Sequence, residues 1–429
     1  MGWLLDGIYA GGLILAAPWL LARAHRRKLL PTRLVGGGLP QRPPGKVVWF
    51  HGVSVGEIIL LETLLGEFVK SRPDLSCIVS CSTDTGMSEA LKRHPGYLPF
   101  PFPFDFSFAV NRALDALRPD LVVLAESELW PNFLGAVHKR QIPLAVINAR
   151  MSPKSLGRWK MIRPLVRGLF RKVDQWAIQQ PGHAAALGQM GVDASRLHVT
   201  GSVKFDHAGH AANPEKIHGL RQYLDLQSDE ILWVVGSTQP PEERICLEAF
   251  VALKKEFPLL RMAIVPRDPS RGAEIATQGR SLGFACPRRS LGEKVAKSEP
   301  VAILDTIGEL GTLWNLAKLA FVGGSLDGKR GGQNMIEPAA IGLVPVFGPH
   351  VWNFQAIANS LVAGGMADKV ANPDELLGAM REQLGSPEKR VARGEKAKEF
   401  VLSQQGATRR TVELLSSMIP PDPHSRVDR

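Results

Sequence analysis

Cysteine is scarce in this chain of 429 residues: Cys77, Cys81, Cys246 and Cys286 are the whole complement. None of their spacings resembles a paired zinc or redox motif, and reduced, mostly buried thiols in a cytosolic compartment are what such usage implies. The common phosphate signatures are missing too. No Gly-x-Gly-x-x-Gly follows the first strand candidate, no Walker pattern occurs, and no Asp-x-Asp is present to hold a divalent metal on a diphosphate. There is no internal repeat. No recognition motif or aromatic-basic module for nucleic acid is visible, so the formal charge of +11 calls for another partner, an anionic lipid surface or an anionic small substrate.

What is present describes a folded chain of two domains. Hydrophobic residues make up 45% and charged residues 22%, too apolar for disorder, and the length exceeds one core of ordinary size. From Trp3 to Ala22 runs a stretch that is apolar except for Asp6 and small glycines, long enough to cross a hydrocarbon core of roughly 30 Å. Arg23, Arg26, Arg27 and Lys28 follow this run, whereas a signal peptide carries its charge in front. By the positive-inside rule everything after residue 23 faces the cytoplasm. The competing reading is an amphipathic helix lying on the membrane surface or packed on a partner.

Beyond a Gly/Pro-rich linker at Gly36 to Gly45, short apolar runs alternate with helix-like segments. Strand candidates are Val47 to Phe50, Cys77 to Ser80, Leu121 to Leu124, Leu144 to Ile147, Gln175 to Ile178 and Leu197 to Thr200. A second series comprises Leu232 to Val235, Arg261 to Val265, Ala302 to Leu304, Leu319 to Val322 and Val344 to Phe347. Nearly continuous apolar runs suit strands buried on both faces of a parallel sheet, and two such series imply two doubly wound α/β domains. The polar stretch Asp206 to Pro214 is the natural join. The expected organisation is an anchor segment at 1–30, a first domain at 46–206, a second at 215–415 and a flexible tail at 416–429.

Ligands of such folds sit at the carboxyl ends of the strands, and the unusual residues fall there. WFHGVSVGE (Trp49 to Glu57) reads as strand, turn and helix start. Glu57 is then either a first-turn glutamate complementing the helix dipole or a general base for an acceptor hydroxyl. ESELWPN (Glu126 to Asn132) places two carboxylates after a buried strand, and holding both requires a cationic or hydroxyl partner. GSVKFD puts Lys204 at the join, where it is either a solvated linker lysine or a cation meeting an anionic substrate. GGSLDGKRGGQNMIEP (Gly323 to Pro338) is a glycine-dense loop entering a short helix, able to cradle a phosphate, with Glu337 placed to accept from a ribose diol.

Ten segments in order carry a resemblance: HGVSVGE, STDTG, ESELWPN, HKRQIP, NARMSPKS, GSVKFD, DTIGEL, FVGGSL, GGQNMIEPAA and GPHVWNF. The series is similar to that of bacterial 3-deoxy-D-manno-octulosonic acid (Kdo) transferases and covers nearly the whole chain. The resemblance implies a GT-B fold, two Rossmann-like domains facing across a cleft, with an N-terminal hydrophobic anchor. It also implies transfer of Kdo from CMP-Kdo to a lipid A precursor of the lipid IVA type, with inversion, at the cytoplasmic face of the inner membrane. No metal or other cofactor is implied. Carried over by motif, Glu57 matches the general base, and Glu126 and Lys204 match transition-state stabilisers. Pro266, Arg267, Ile307, Gly308, Glu309, Asn334, Met335, Ile336 and Glu337 match CMP-binding positions. Gln239, Asp268 and Gln333 stand where the family commonly has histidine, so another CMP-linked ulosonic acid or another nucleotide sugar is the alternative donor.

One further segment is single-signed. Between Leu129 and Val173 there is no Asp or Glu, while Lys139, Arg140, Arg150, Lys154, Arg158, Lys160, Arg163, Arg167, Arg171 and Lys172 all occur. Pro164 is expected to start a helix on which Arg167 and Arg171 share a face. That surface is either a solvated basic helix or a dock for anionic lipid headgroups or acceptor phosphates.

Overall fold

A computed structural model describes residues 5–7, 9–11, 29–126, 129–151, 153–206, 208–209, 213–296 and 298–420. Most of Trp3 to Ala22, and the basic cluster Arg23 to Lys28 behind it, lie outside the described residues. Among the described residues no helix is long and apolar enough to cross a membrane. The described residues of the N-terminal segment are helical and dock on the first domain through polar groups. Asp6 accepts from the Ser107 N–H at 2.8 Å and the Asn132 amide at 3.0 Å, and the Tyr9 hydroxyl donates to Asp105 at 3.1 Å.

The chain divides into two units, Met1–Asp206 with Gln404–Arg429, and His207–Ser403. The first holds seven strands: β1 (Lys46–Gly52), β2 (Leu75–Cys81), β3 (Phe100–Pro101), β4 (Leu121–Ala125), β5 (Leu144–Ala149), β6 (Gln175–Ile178) and β7 (Leu197–Val199). All pair in parallel, in the order β3-β2-β1-β4-β5-β6-β7. The second holds β8 (Ile231–Thr238), β9 (Leu260–Pro266), β10 (Val301–Ile303), β11 (Leu319–Val322), β12 (Pro345–Phe347) and β13 (Asp368–Lys369). Their order is β10-β9-β8-β11-β12-β13, again all parallel.

Alternate residues of the central strands explain the continuous apolar runs. Val47 and Trp49 of β1 join one core with Val122, Leu124, Leu144 and Val146. Val48 and Phe50 face the opposite core with Leu121, Val123, Ala145 and Ile147. Both faces of the sheet are thereby covered, as parallel sheets require. Helix Val55–Ser71 covers the second face with Ile58, Leu61, Leu65 and Phe68, each fully buried and contributing about 1.5–3 kcal/mol relative to exposure.

Strand order reverses between β1 and β4 in the first unit and between β8 and β11 in the second. Those are the switch points where ligand crevices open in this class of sheet. Strands β3 and β13 escape the sequence reading because each has two residues at an outer edge, too few for any periodicity.

The second domain does not run to 415, and the tail does not begin at 416. Gln404 onward returns to the first unit, where helix Ala407–Ser417 buries Val412 and Leu415, with Ile419 beyond it, in the core that contains Phe50 and Phe68. Asp206 fixes the return, its carboxylate accepting from the N–H groups of Gly406 at 2.7 Å and Thr408 at 2.5 Å. Arg72 donates to the carbonyls of Ser416 at 3.2 Å and Ile419 at 2.8 Å. Residues 421–429 lie outside the described residues.

Candidate active site

Glu57 sits one turn into helix Val55–Ser71, beyond the carboxyl end of β1. Ser54 and Glu57 form a reciprocal capping box, and Glu57 Oε2 accepts from the Ser54 N–H and hydroxyl, both at 2.5 Å. The helix-cap role is therefore real, and it fixes the carboxylate. Its Oε1 takes no hydrogen bond among the described residues, leaving one oxygen for a substrate hydroxyl. Gly52 permits this approach, since a Cβ there would lie 3.0 Å from Glu57 Cβ.

Glu126 follows β4 on the other side of the switch point. Its backbone is left-handed, with φ of 61°, while its N–H still bonds the Ile147 carbonyl at 2.9 Å. The carboxylate pairs with Arg150, at 3.1 Å to Nη2 and 3.2 Å to Nε. Arg150 supplies the cationic partner the sequence called for, from the turn after β5. In the sequence it stands only within NARMSPKS and the single-signed segment, with no partner assigned, because the pairing spans 24 residues. The second carboxylate of that cluster, Glu128, lies outside the described residues.

Lys204 is on the short 3-10 turn Val203–Phe205 and is half-buried. Burial pulls its pKa below the ordinary lysine value. Glu126 and Glu57 oppose that shift by attraction, and Arg150 adds to it by repulsion. Lys204 is thus no solvated linker lysine: Glu57, Glu126, Arg150 and Lys204 share one electrostatic neighbourhood at the first switch point.

In the second unit the expected donor residues divide into two kinds. Pro266 ends β9 and is buried, and exposed Arg267 donates its N–H to the Thr238 carbonyl at 3.1 Å. Ile307 is 84% exposed, Gly308 has φ of 90°, and Glu309 bonds the Thr306 hydroxyl and pairs with Arg289 at 3.0 Å. The side chains of Met335 and Ile336 are wholly buried, so backbone is all these two offer a ligand. Asn334 and Glu337 are linked, the Asn334 amide donating to Glu337 Oε1 at 3.0 Å. Burial raises the Glu337 pKa against that hydrogen bond.

The glycine-rich loop is not the open phosphate cradle the sequence suggests. The N–H groups of Gly324, Ser325 and Leu326 are taken by the buried carboxylate of Glu242, at 2.7, 2.8 and 3.1 Å. Asp268, one of the positions where the resemblance leads to the expectation of histidine, is exposed and turned toward its own loop. It accepts from the Ser270 N–H at 3.0 Å and hydroxyl at 2.7 Å, which hold its pKa below the usual carboxylate value. Gln239 is buried, and Gln333 is half-buried. Among the described residues no group of three or more His, Cys, Asp and Glu side chains could hold a metal ion.

Two doubly wound parallel sheets with functional candidates at both switch points make up a GT-B type fold. Solved structures with the same fold include UDP-GlcNAc 2-epimerase from Neisseria meningitidis, 12% identical with a TM-score of 0.59 over 87% of this chain and 100% of that one. A glycosyltransferase from Rickettsia africae is likewise 12% identical, with a TM-score of 0.56 over 89% of this chain and 100% of that one. Sequence narrows the class. Residues 24–207 match the family described as 3-deoxy-D-manno-octulosonic-acid transferase (kdotransferase). The 3-deoxy-D-manno-octulosonic acid transferase of Haemophilus influenzae is 31% identical over 91% of both chains. That of Bordetella pertussis is 31% identical over 96% of this chain and 99% of its own. The chain belongs to the 3-deoxy-D-manno-octulosonic acid transferase family.

Proposed function

We propose that this protein transfers Kdo from CMP-Kdo to a sugar hydroxyl of a lipid A precursor in lipopolysaccharide synthesis, without a metal and with inversion at the anomeric carbon. The observation carrying this reading is the grouping of Glu57, Glu126, Arg150 and Lys204 in a chain aligned end to end with Kdo transferases. Glu57 Oε1 takes the proton of the acceptor hydroxyl as its oxygen bonds to the anomeric carbon. The bond from that carbon to the phosphate oxygen breaks, and CMP leaves with the electron pair. Positive charge gathers on the sugar and negative charge on the phosphate, so carboxylates and cations are both required. Glu126 serves the sugar side and Lys204 the acidic donor. The donor loops of the second unit, with Arg267, Glu309, Asn334 and Glu337, hold the nucleotide.

Purified protein given CMP-Kdo and the lipid precursor in excess EDTA is expected to yield a product heavier by one or more Kdo residues in the mass spectrum. Transfer from a UDP-sugar instead, or from another CMP-linked ulosonic acid in preference to Kdo, would move the donor assignment and implicate Gln239, Asp268 and Gln333. Activity that EDTA abolishes and magnesium restores would overturn metal independence.

Glu337→Ala should weaken CMP binding by roughly 1.5–3 kcal/mol, the size of a lost hydrogen bond to a charged group. Calorimetric titration with CMP checks this, and an unchanged affinity makes Glu337 only the partner of Asn334.

The basic segment supports a place on the cytoplasmic face of the inner membrane, against anionic lipid. Helix Arg163–Phe170 buries Val166 and Phe170 while Arg163 and Arg167 stay exposed, and Arg171 is exposed just beyond it. Met161 is 84% and Ile162 45% exposed beside them, apolar groups suited to insertion between headgroups. Arg171 also donates to the Gly191 carbonyl at 3.3 Å, so part of its role is internal. Each basic residue near an anionic membrane contributes about 1 kcal/mol. A chain lacking residues 1–30 with Arg167→Glu and Arg171→Glu should therefore sediment less with anionic liposomes than the truncated parent. Equal sedimentation with equal salt dependence leaves the stripe a solvated face.

A further inference from the structure

Glu242 has no part in the chemistry above, yet it opens helix Glu242–Glu256 completely buried. Its Oε2 accepts from the N–H groups of Gln239 at 2.9 Å and Gly324 at 2.7 Å, and its Oε1 from those of Ser325 at 2.8 Å and Leu326 at 3.1 Å. Burying a carboxylate without partners is expensive, and four amide donors offset much of that. The donors belong to two loops on either side of the second switch point: Gln239 follows β8, and Gly324 to Leu326 follow β11.

The bonding extends to a third loop. Ser325 Oγ donates to the Val322 carbonyl at 2.9 Å and accepts from the Gly348 N–H at 2.8 Å, and the Ser325 carbonyl accepts from the His350 N–H at 3.0 Å. The loop after β12 is thereby fixed too. Gly323 makes the packing possible, because a Cβ there would lie 2.6 Å from Thr238 Cα and 2.7 Å from Glu242 Oε2. From this knot the carbonyls of Gly324 and Gly323 accept from the N–H groups of Gly332 at 2.8 Å and Gln333 at 3.1 Å. Asn334 and Glu337 follow directly. The neighbouring Glu243, equally buried, pairs with Arg271 at 2.5 Å and ties down the segment after β9.

We propose that Glu242 is a positioning residue of the donor site, an internal anion occupying the amide nest at the switch point and setting the loops after β8, β11 and β12 in one register. Asn334 and Glu337 take their places from that register, and the nucleotide's phosphate must find its donors elsewhere than Gly324 to Leu326. The proposal rests on the donor reading above. In Glu242→Gln one acceptor oxygen becomes an NH2 donor facing two N–H donors, so two of the four bonds turn repulsive.

The test uses the full chain as wild type, Glu242→Gln, Glu242→Asp and Ser325→Ala, with CMP titrated well below each variant's Tm and hydrogen exchange followed across residues 323–337. For Glu242→Gln the expected result is loop exchange, CMP Kd and donor KM each raised roughly tenfold or more, the scale of lost charge-assisted hydrogen bonds. The kcat at saturating donor should stay within a few-fold. Glu242→Asp, which keeps the charge, should recover part of the affinity. A lowered Tm or faster loop exchange with unchanged CMP Kd overturns the proposal and leaves Glu242 a support of the fold alone. If the Glu242 variants do not fold, Ser325→Ala decides: it removes the hydroxyl's bonds to the Val322 carbonyl and the Gly348 N–H while the backbone bonds of residue 325 to Glu242 and His350 stay, and an unchanged Kd there also overturns the proposal. Failure of the donor reading is distinct, because it shows as absence of CMP binding by the wild type, while the exchange comparison still reports whether Glu242 holds the loops.

Discussion

Glu57→Gln is expected to lower the rate of transfer by about a hundred- to ten-thousand-fold, the usual contribution of a positioned general base. The fold should be untouched, and the reason lies in the capping box. Gln serves at the third helical position as Glu does, so the bond from the Ser54 N–H to the side-chain oxygen survives. The change is nearly isosteric and removes only basicity, the one property the chemistry needs. CMP affinity should be unchanged, since the residues proposed to hold the nucleotide lie in the other unit. The measurements are single-turnover transfer, CMP titration and thermal unfolding on one preparation. Turnover near the wild-type rate would return Glu57 to helix capping alone. Loss of turnover with a large fall in Tm would show that the first turn of helix Val55–Ser71, not the base, had been damaged.

The strands that sequence reading located best are those buried on both faces. Gln175 to Ile178 and Leu319 to Val322 match β6 and β11 at both ends because turn residues bound them and every apolar residue has a core to enter. The strand-turn-helix reading of WFHGVSVGE placed Glu57 correctly, although Ser54 and Glu57 also carried an unread capping-box signature. Sequence could not show that Lys204 lies in the electrostatic field of Glu126 and Arg150. Segments far apart in the chain are brought together only when parallel strands align their carboxyl ends. Glu242 is not legible for a related reason: QPPEE reads as an ordinary acidic helix start, and three of the four amides that need its carboxylate come from residues more than 80 positions later. The return of helix Ala407–Ser417 was missed because its apolar face, Val412 and Leu415, fits a helix in either domain. The Asp206 carboxylate, the Arg72 guanidinium and the core shared with helix Val55–Ser71 decide between them.

Lys204→Met should lower kcat/KM by about a hundred- to a thousand-fold while leaving the protein as stable as the parent, or more so, at neutral pH. The catalytic half of that expectation follows from removing a cation placed where negative charge develops, in a site partly shielded from water. The stability half follows from the direction of its pKa. Burial outweighs the attraction of Glu126 and Glu57, so folded Lys204 holds its proton less firmly than it does in the unfolded chain. The unfolded chain then binds more protons between the lowered folded pKa and the ordinary lysine value of 10.5, and wild-type stability rises with pH through that window. Below the window the burial penalty is present in full. A methionine of similar length fills the space without it, and replacing a buried charge by an apolar group is often neutral or stabilising. Glu126 keeps Arg150 as its partner, so no carboxylate is stranded. The difference in stability between variant and parent should therefore be largest near neutral pH and shrink as pH approaches 10.5. Denaturant unfolding at several pH values, beside transfer kinetics, reads both halves. A variant that unfolds more easily at neutral pH and loses activity only in proportion would make Lys204 a structural cation, and the first unit would then lack its partner for the acidic sugar.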